Sequence, residues 1–216
     1  MSSPDSFIEE VTEEVRRDRL FALFRKYGWI AGVLVLLVVG GTAWTQWQQA
    51  QRAAEARSFG DTLAQALDQP EAAARVAALQ AVEAEGADQA AIRDLIVASD
   101  PETMRDAALE ALARVEASQD VTQYFRDLAT LRRVVLAGAE LDVAARRAAL
   151  DPLAVPGRVF RPLVLEQLAY LEVEAGNIDA ALEQLRIVSN DQQSPPGLRE
   201  RAGQMIVALG GAPTEG

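Results

Sequence analysis

Phe160-Arg-Pro-Leu-Val-Leu-Glu-Gln-Leu-Ala-Tyr-Leu-Glu-Val-Glu-Ala-Gly-Asn-Ile-Asp-Ala-Ala-Leu-Glu-Gln-Leu-Arg-Ile-Val-Ser-Asn190 decides the fold. Leu165, Leu168 and Ala169 share one face of a first helix, and Gly176 supplies the left-handed residue that ends it. Asn177 opens a second helix, whose Ile178, Ala181, Leu182, Leu185 and Val188 form the opposing apolar face. The pattern predicts an antiparallel helical hairpin, crossing closely because Ala169 and Ala181 are small.

The same reading extends outward. Beyond residue 47 the chain is dominated by Ala, Leu, Glu, Gln and Arg, and β-branched runs are scarce, so nearly every segment prefers helix. Breaks fall at Asp68-Gln-Pro70, Glu85-Gly86, Asp100-Pro101, Ser118-Gln-Asp120, Gly138, Val155-Pro-Gly157, Gly176-Asn177 and Ser194-Pro-Pro-Gly197. There carboxylates, Ser or Asn can cap amide groups, and Pro suits a first turn. Nine or so short helices are expected, an all-α domain with no sheet.

The 160–190 hairpin resembles a tetratricopeptide repeat. The repeat's large-Leu-small positions fall on Leu165, Leu168 and Ala169, its turn glycine on Gly176, its second small residue on Ala181, and its later apolar positions on Leu185 and Val188. Glu172 stands where the repeat usually has an aromatic residue, and the closing proline is displaced to Pro195 and Pro196. Upstream, Ala144 and Ala108 occupy the second-helix small position, at successive spacings of 37 and 36 residues. The resemblance implies three hairpins in register, a poorer first one from 48–67 with 70–84, and a lone terminal helix at 195–209. The whole would be an α-solenoid.

Ahead of this array lies Tyr27-Gly-Trp-Ile-Ala-Gly-Val-Leu-Val-Leu-Leu-Val-Val-Gly-Gly-Thr-Ala-Trp-Thr-Gln-Trp47, uncharged throughout. Its length as a helix matches a bilayer's hydrocarbon layer, roughly 30 Å. Tyr27 and Trp29 at one end and Trp44 and Trp47 at the other read as interfacial anchors. A buried core helix is the competing reading, but a soluble helix of this length carries a polar stripe. A cleaved leader is another, with small residues at Gly41-Thr-Ala43, but the 26 residues before the stretch include six carboxylates, unlike secretory leaders. Arg16, Arg17, Arg19, Arg25 and Lys26 precede the stretch while only Arg52 and Arg57 follow closely, which places the amino terminus in the cytoplasm. The expected organisation is a cytoplasmic amphipathic leader at 1–26, a transmembrane helix at 27–47, a periplasmic helical domain at 48–212 and a tail at 213–216. In the leader, Phe7, Ile8, Val11 and Val15 lie at helical spacing, for docking on a partner or the membrane, or as a frayed tail.

Charge and composition limit the chemistry. Residues 53–216 hold 15 arginines and 26 carboxylates, the whole of the net charge of −11, while residues 1–52 balance with six of each sign. Such a domain does not suit nucleic acid. The chain has no His and no Cys, and Lys26 is its single lysine. That removes Ser-His-Asp and Cys-His nucleophile pairs, N/S zinc sites, dithiol redox chemistry, the Walker lysine and Schiff bases. Carboxylate pairs such as Glu172 with Glu174, or Glu83 with Glu85, remain formally open as acid and base, although in helical stretches they ordinarily form a solvated face. No catalytic, cofactor-binding or metal-binding residue is expected, and no small-molecule substrate.

Taken whole, the chain resembles the YfgM-type family of single-span inner-membrane proteins with a tetratricopeptide-like domain. The likeness lies in the leader Glu9-Glu-Val-Thr-Glu-Glu-Val-Arg-Arg-Asp-Arg-Leu20, the aromatic-Gly entry at Tyr27-Gly28, the single span, and the stretches Tyr124-Phe-Arg-Asp-Leu-Ala-Thr-Leu131 and Gly197-Leu-Arg-Glu-Arg-Ala202. The resemblance implies a non-enzymatic subunit ancillary to the SecYEG translocon, partnered with a membrane-anchored periplasmic chaperone, that assists secreted chains. Two other classes are in play, a tetratricopeptide scaffold of cell-division or envelope-assembly machinery and a hydrolase using carboxylates alone. By repeat geometry, Gln123, Arg126, Thr130 and Arg133 of one first helix and Leu163, Glu166 and Tyr170 of the next line the concave side, each alternatively a plain solvated position. Gly28, Gly32 and Gly40 form a flat strip on the span where another membrane helix could pack.

Overall fold

A computed structural model describes residues 4–99 and 104–212, with side chains from Trp29 onward except that of Ala31. Among the described residues there is no strand, and nine α-helices account for most of the chain. They are α1 (Pro4–Leu67), α2 (Ala72–Gln80), α3 (Ala87–Val97), α4 (Arg105–Ala117), α5 (Gln123–Ala137), α6 (Val143–Leu150), α7 (Arg161–Glu174), α8 (Ile178–Asn190) and α9 (Pro196–Ala208). Short 3-10 turns follow α5 at Gly138–Glu140 and α6 at Asp151–Leu153. The chain divides into two units, Met1–Ser58 and Phe59–Gly216.

The first unit is helical from Pro4. Trp29, Ile30 and Val33–Val39 all expose more than two fifths of their surface, as do Trp44 and Trp47, so the helix is apolar around its whole circumference here. Trp44 and Trp47 sit one turn apart with ring centroids 5.4 Å from each other. Nothing lies within 4 Å of a side chain placed at Gly32 or Gly40. Among the described residues no helix is long and apolar enough to cross a membrane. The expected span starts at Tyr27, and the side chains of Tyr27 and Ala31, like Gly28 and the leader positions Phe7 to Val15, lie outside those described.

In the second unit successive helices pack against one another, most extensively α7 with α8, α4 with α5, α8 with α9 and α3 with α4. The 160–190 hairpin forms as its pattern predicts: Leu168, Ala169, Ala181, Leu185 and Val188 are at most 3 % exposed. Gly176 has φ +79°, the Asn177 amide donates to the Glu172 carbonyl (2.8 Å) and the Gly176 amide to Val173 (3.0 Å), a paired arrangement that closes the last turn of α7. Ile178, expected on the buried face, is exposed. Gly210, φ +83°, ends α9 through the same pair of bonds.

Three apolar clusters fill the unit. Leu63, Ala66, Leu79, Val97 and Ala111 form one, α3, α4 and the first half of α5 a second, and α6 to α9 with Leu131 and Val134 of α5 the largest. Helix α5 contributes to two of them because its apolar residues cover more than one face.

Three hairpins in register are not what the middle of the domain shows. Ala108 and Ala181 are fully buried, but Ala144, the position between them, is exposed. Helix α6 has eight residues, and Arg146 and Leu150 are the ones it buries. Asp151-Pro152 ends it early in a 3-10 turn, and α6 packs less extensively on its neighbours than α4 does on α5. The spacing of alanines was satisfied, but an alanine-rich stretch offers a small residue in almost any register. In the first expected hairpin, α2 packs mainly on α3, and Leu63 and Ala66 join a cluster that also includes residues of α3 and α4.

Capping also departs from expectation. Among α2 to α9, only Asp142 caps by its side chain, accepting from the Ala145 amide at 2.7 Å. Arginine–carboxylate pairs instead tie helices together, Arg114 to Asp94 (2.9 Å), Arg133 to Glu116 (2.5 Å), Arg146 to Glu174 (2.6 Å) and Arg147 to Glu172 (2.7 Å), and Arg158 ties the segment before α7 to Asp127 of α5 (2.9 Å). Guanidinium, planar and always charged, suits such bridging where lysine is absent. Asp100-Pro101 lies outside the described residues.

Candidate functional site

Helices α5 and α7, the two expected to carry the concave face, flank an open groove of about 560 Å³. Leu128, Leu131, Arg132, Val135 and Leu136 line it from α5, an i, i+3, i+4, i+7, i+8 stripe that winds along one side of a helix. Leu163, Glu166 and Gln167 line it from α7, Leu112 from α4, Ala98 at the end of α3 and Arg201 from α9. The lining is mostly apolar, and Val135 is 54 % exposed. Pockets of this size with few polar groups are those that take up ligand surface.

Of the expected concave residues, Leu163 and Glu166 are in the groove and Tyr170 stands one turn beyond them on α7. Gln123, Arg126, Thr130 and Arg133 are not. At 100° per residue they lie on the opposite face of α5 from Leu128. Arg126 donates to the carbonyls of Gln119 (2.9 Å) and Val121 (2.8 Å), Thr130 is buried, Arg133 holds Glu116, and the Gln123 amide faces Arg158. On this helix Arg126 and Arg133 secure α4 and the α4–α5 connection, and Gln123 faces the segment that precedes α7. The signal that locates the groove is the Leu128, Leu131, Val135, Leu136 stripe with an arginine in its middle.

Two arginines face the groove in different electrostatic settings. Arg201 donates to both oxygens of the buried Glu166 carboxylate, at 2.6 and 2.9 Å, and its pKa is raised, first by that bond. Tyr170 has a raised pKa, first from burial and then from its bond with Glu166. Arg132 donates instead to the main-chain carbonyls of Leu95 (3.1 Å) and Ala98 (2.6 Å), where α3 ends. That is the negative end of the helix dipole. Burial lowers the Arg132 pKa.

The carboxylate pairs considered for acid–base chemistry are engaged structurally or dispersed. Glu172 is held by Arg147 and by the Asn177 amide (2.8 Å), which lower its pKa in that order, and Glu174 is held by Arg146. Glu83 and Glu85 sit in the α2–α3 loop rather than in a helix. Among the described residues no group of three or more acidic side chains is placed to hold a metal ion. No protein-family model, no curated protein and no solved structure matches the chain.

Proposed function

We propose that this chain is a membrane-anchored protein–protein interaction module without catalytic activity. In this reading residues 27–47 cross the inner membrane with the amino terminus cytoplasmic. The helical unit stands in the periplasm as a degenerate tetratricopeptide-like array, ancillary to a SecYEG-type translocon and a membrane-anchored chaperone. The open apolar groove between α5 and α7 carries the proposal, because a concave, mostly apolar surface with a few polar groups is the usual form of a binding site. Support for the anchor comes from the exposed apolar side chains of Ile30 and Val33–Val39, flanked by Trp29, Trp44 and Trp47.

Photo-crosslinking in native membranes from Gln167 in the groove and Gly32 on the anchor tests it. Labelling of translocon subunits or emerging secretory chains is the expected result. Labelling of division or envelope-assembly proteins alone would transfer the module to that machinery, and labelling of lipid alone would remove the proposal.

A further inference from the structure

Given the interaction reading above, we infer that the α5–α7 groove takes the apolar face of a partner helix that carries one carboxylate, placed against Arg132. Three features define this occupant.

The first is size. The groove is open to solvent, with Val135 on its wall 54 % exposed, and an α-helix with its side chains is about 10 Å across. One face of a helix enters and the rest stays outside. Leucine-sized anchors at i, i+3 or i+4 and i+7 match the stripe formed by Leu128, Arg132 and Val135 opposite Leu163.

The second is charge. Arg132 is the groove cation whose described bonds all go to neutral carbonyls, whereas Arg201 is neutralised by Glu166. A guanidinium in an apolar wall is completed by an anion that brings little water with it.

The third is selectivity. Residues 53–216 hold 26 carboxylates against 15 arginines, so a strongly acidic partner is repelled at a distance. The favoured ligand carries its negative charge at one position, within its apolar stripe, and is neutral or basic elsewhere.

The test uses the full chain in nanodiscs and a fluorescent helical peptide with three leucines at those spacings and one glutamate between them, compared with its glutamine twin. The glutamate peptide binds the native protein about tenfold more tightly. Arg132→Gln brings the two peptides within about twofold of each other, and Leu163→Glu abolishes binding of both. Equal affinity of the native protein for the two peptides overturns the inference, as does binding unaffected by Leu163→Glu or preference for a fatty-acid probe over either peptide. Because the decisive comparison alters the peptide, a poorly folding Arg132 variant cannot obscure it. Crosslinking from Gly32 tests the anchored-module reading independently of the groove.

Discussion

Each oxygen of the Glu166 carboxylate on α7, 2 % exposed, accepts a bond from the Arg201 guanidinium on α9, 35 residues further along the chain. This pair ties the last helix to the wall of the groove. Removing its outer member leaves a buried charge without its partner, a greater loss than the pair's own strength. Arg201→Ala is expected to destabilise the helical unit by about 2 kcal/mol, reduced from a fully buried case because the arginine is half exposed. Arg201→Ala combined with Glu166→Leu recovers much of that loss, and chemical unfolding of the native chain, the two single variants and the double variant measures it.

Acid weakens the fold through Glu172. Arg147, and after it Asn177, hold its carboxyl below the ordinary 4.5, so its contribution is complete above that value and disappears as pH falls through the depressed folded-state value. Melting temperature is expected to drop steeply below about pH 4.5, and Glu172→Gln, less stable at neutral pH, shows a shallower decline. A decline of equal steepness in the variant would refute this role.

Glycine positions separate two kinds of constraint. At Gly176, φ +79° penalises any side chain although no atom lies within 4 Å, and Gly176→Ala is expected to cost about 1 kcal/mol. At Gly211 an added Cβ would come within 2.7 Å of Ile206 and 2.9 Å of Leu182, and Gly211→Ala is expected to cost about 2 kcal/mol by crowding. Gly197→Ala, with open space and no left-handed backbone, leaves unfolding within about 0.5 kcal/mol of the native chain.

Enlarging equivalent alanines tests the helix register directly. Ala108→Leu and Ala181→Leu enter filled interfaces and are expected to cost about 2 kcal/mol each, whereas Ala144→Leu changes stability by less than about 0.5 kcal/mol. Equal penalties at all three sites would restore a strict repeat.

The proposed anchor has its own measurement. Leu36→Arg places a charge near the centre of the apolar stretch at a cost of about 3 kcal/mol for insertion, and carbonate extraction is expected to release more of that variant than of the native chain.

Much of the helical architecture is legible in the residues. The left-handed turn at Gly176 and the buried faces at Leu168, Ala169, Ala181 and Leu185 follow from spacing alone, because glycine's conformational freedom and the 3.6-residue period are local properties. The groove was half legible. Leu163 and Glu166 of the expected lining face the groove, whereas Gln123, Arg126, Thr130 and Arg133 lie on the other side of α5. That helix has apolar residues on two faces, one buried against its neighbours and one open, and periodicity alone does not say which of them a neighbour covers. The brevity of α6 was equally hidden, since Ala144 satisfied the repeat spacing in a stretch where alanine is everywhere. The arginine bridges depend on pairs as far apart as Glu166 and Arg201, beyond the reach of any local pattern.

Helix α5 serves as a party wall. Ala129 belongs to the apolar chamber ahead of it, Leu131 and Val134 to the one behind. Neither room can be dismantled without opening the other, so a nick between Ala137 and Val143 would strand the later helices with their largest cluster unsealed. Halves of this domain produced separately should need each other in order to fold, and the seam along which they would rejoin is the same wall that offers its outer side to a visitor.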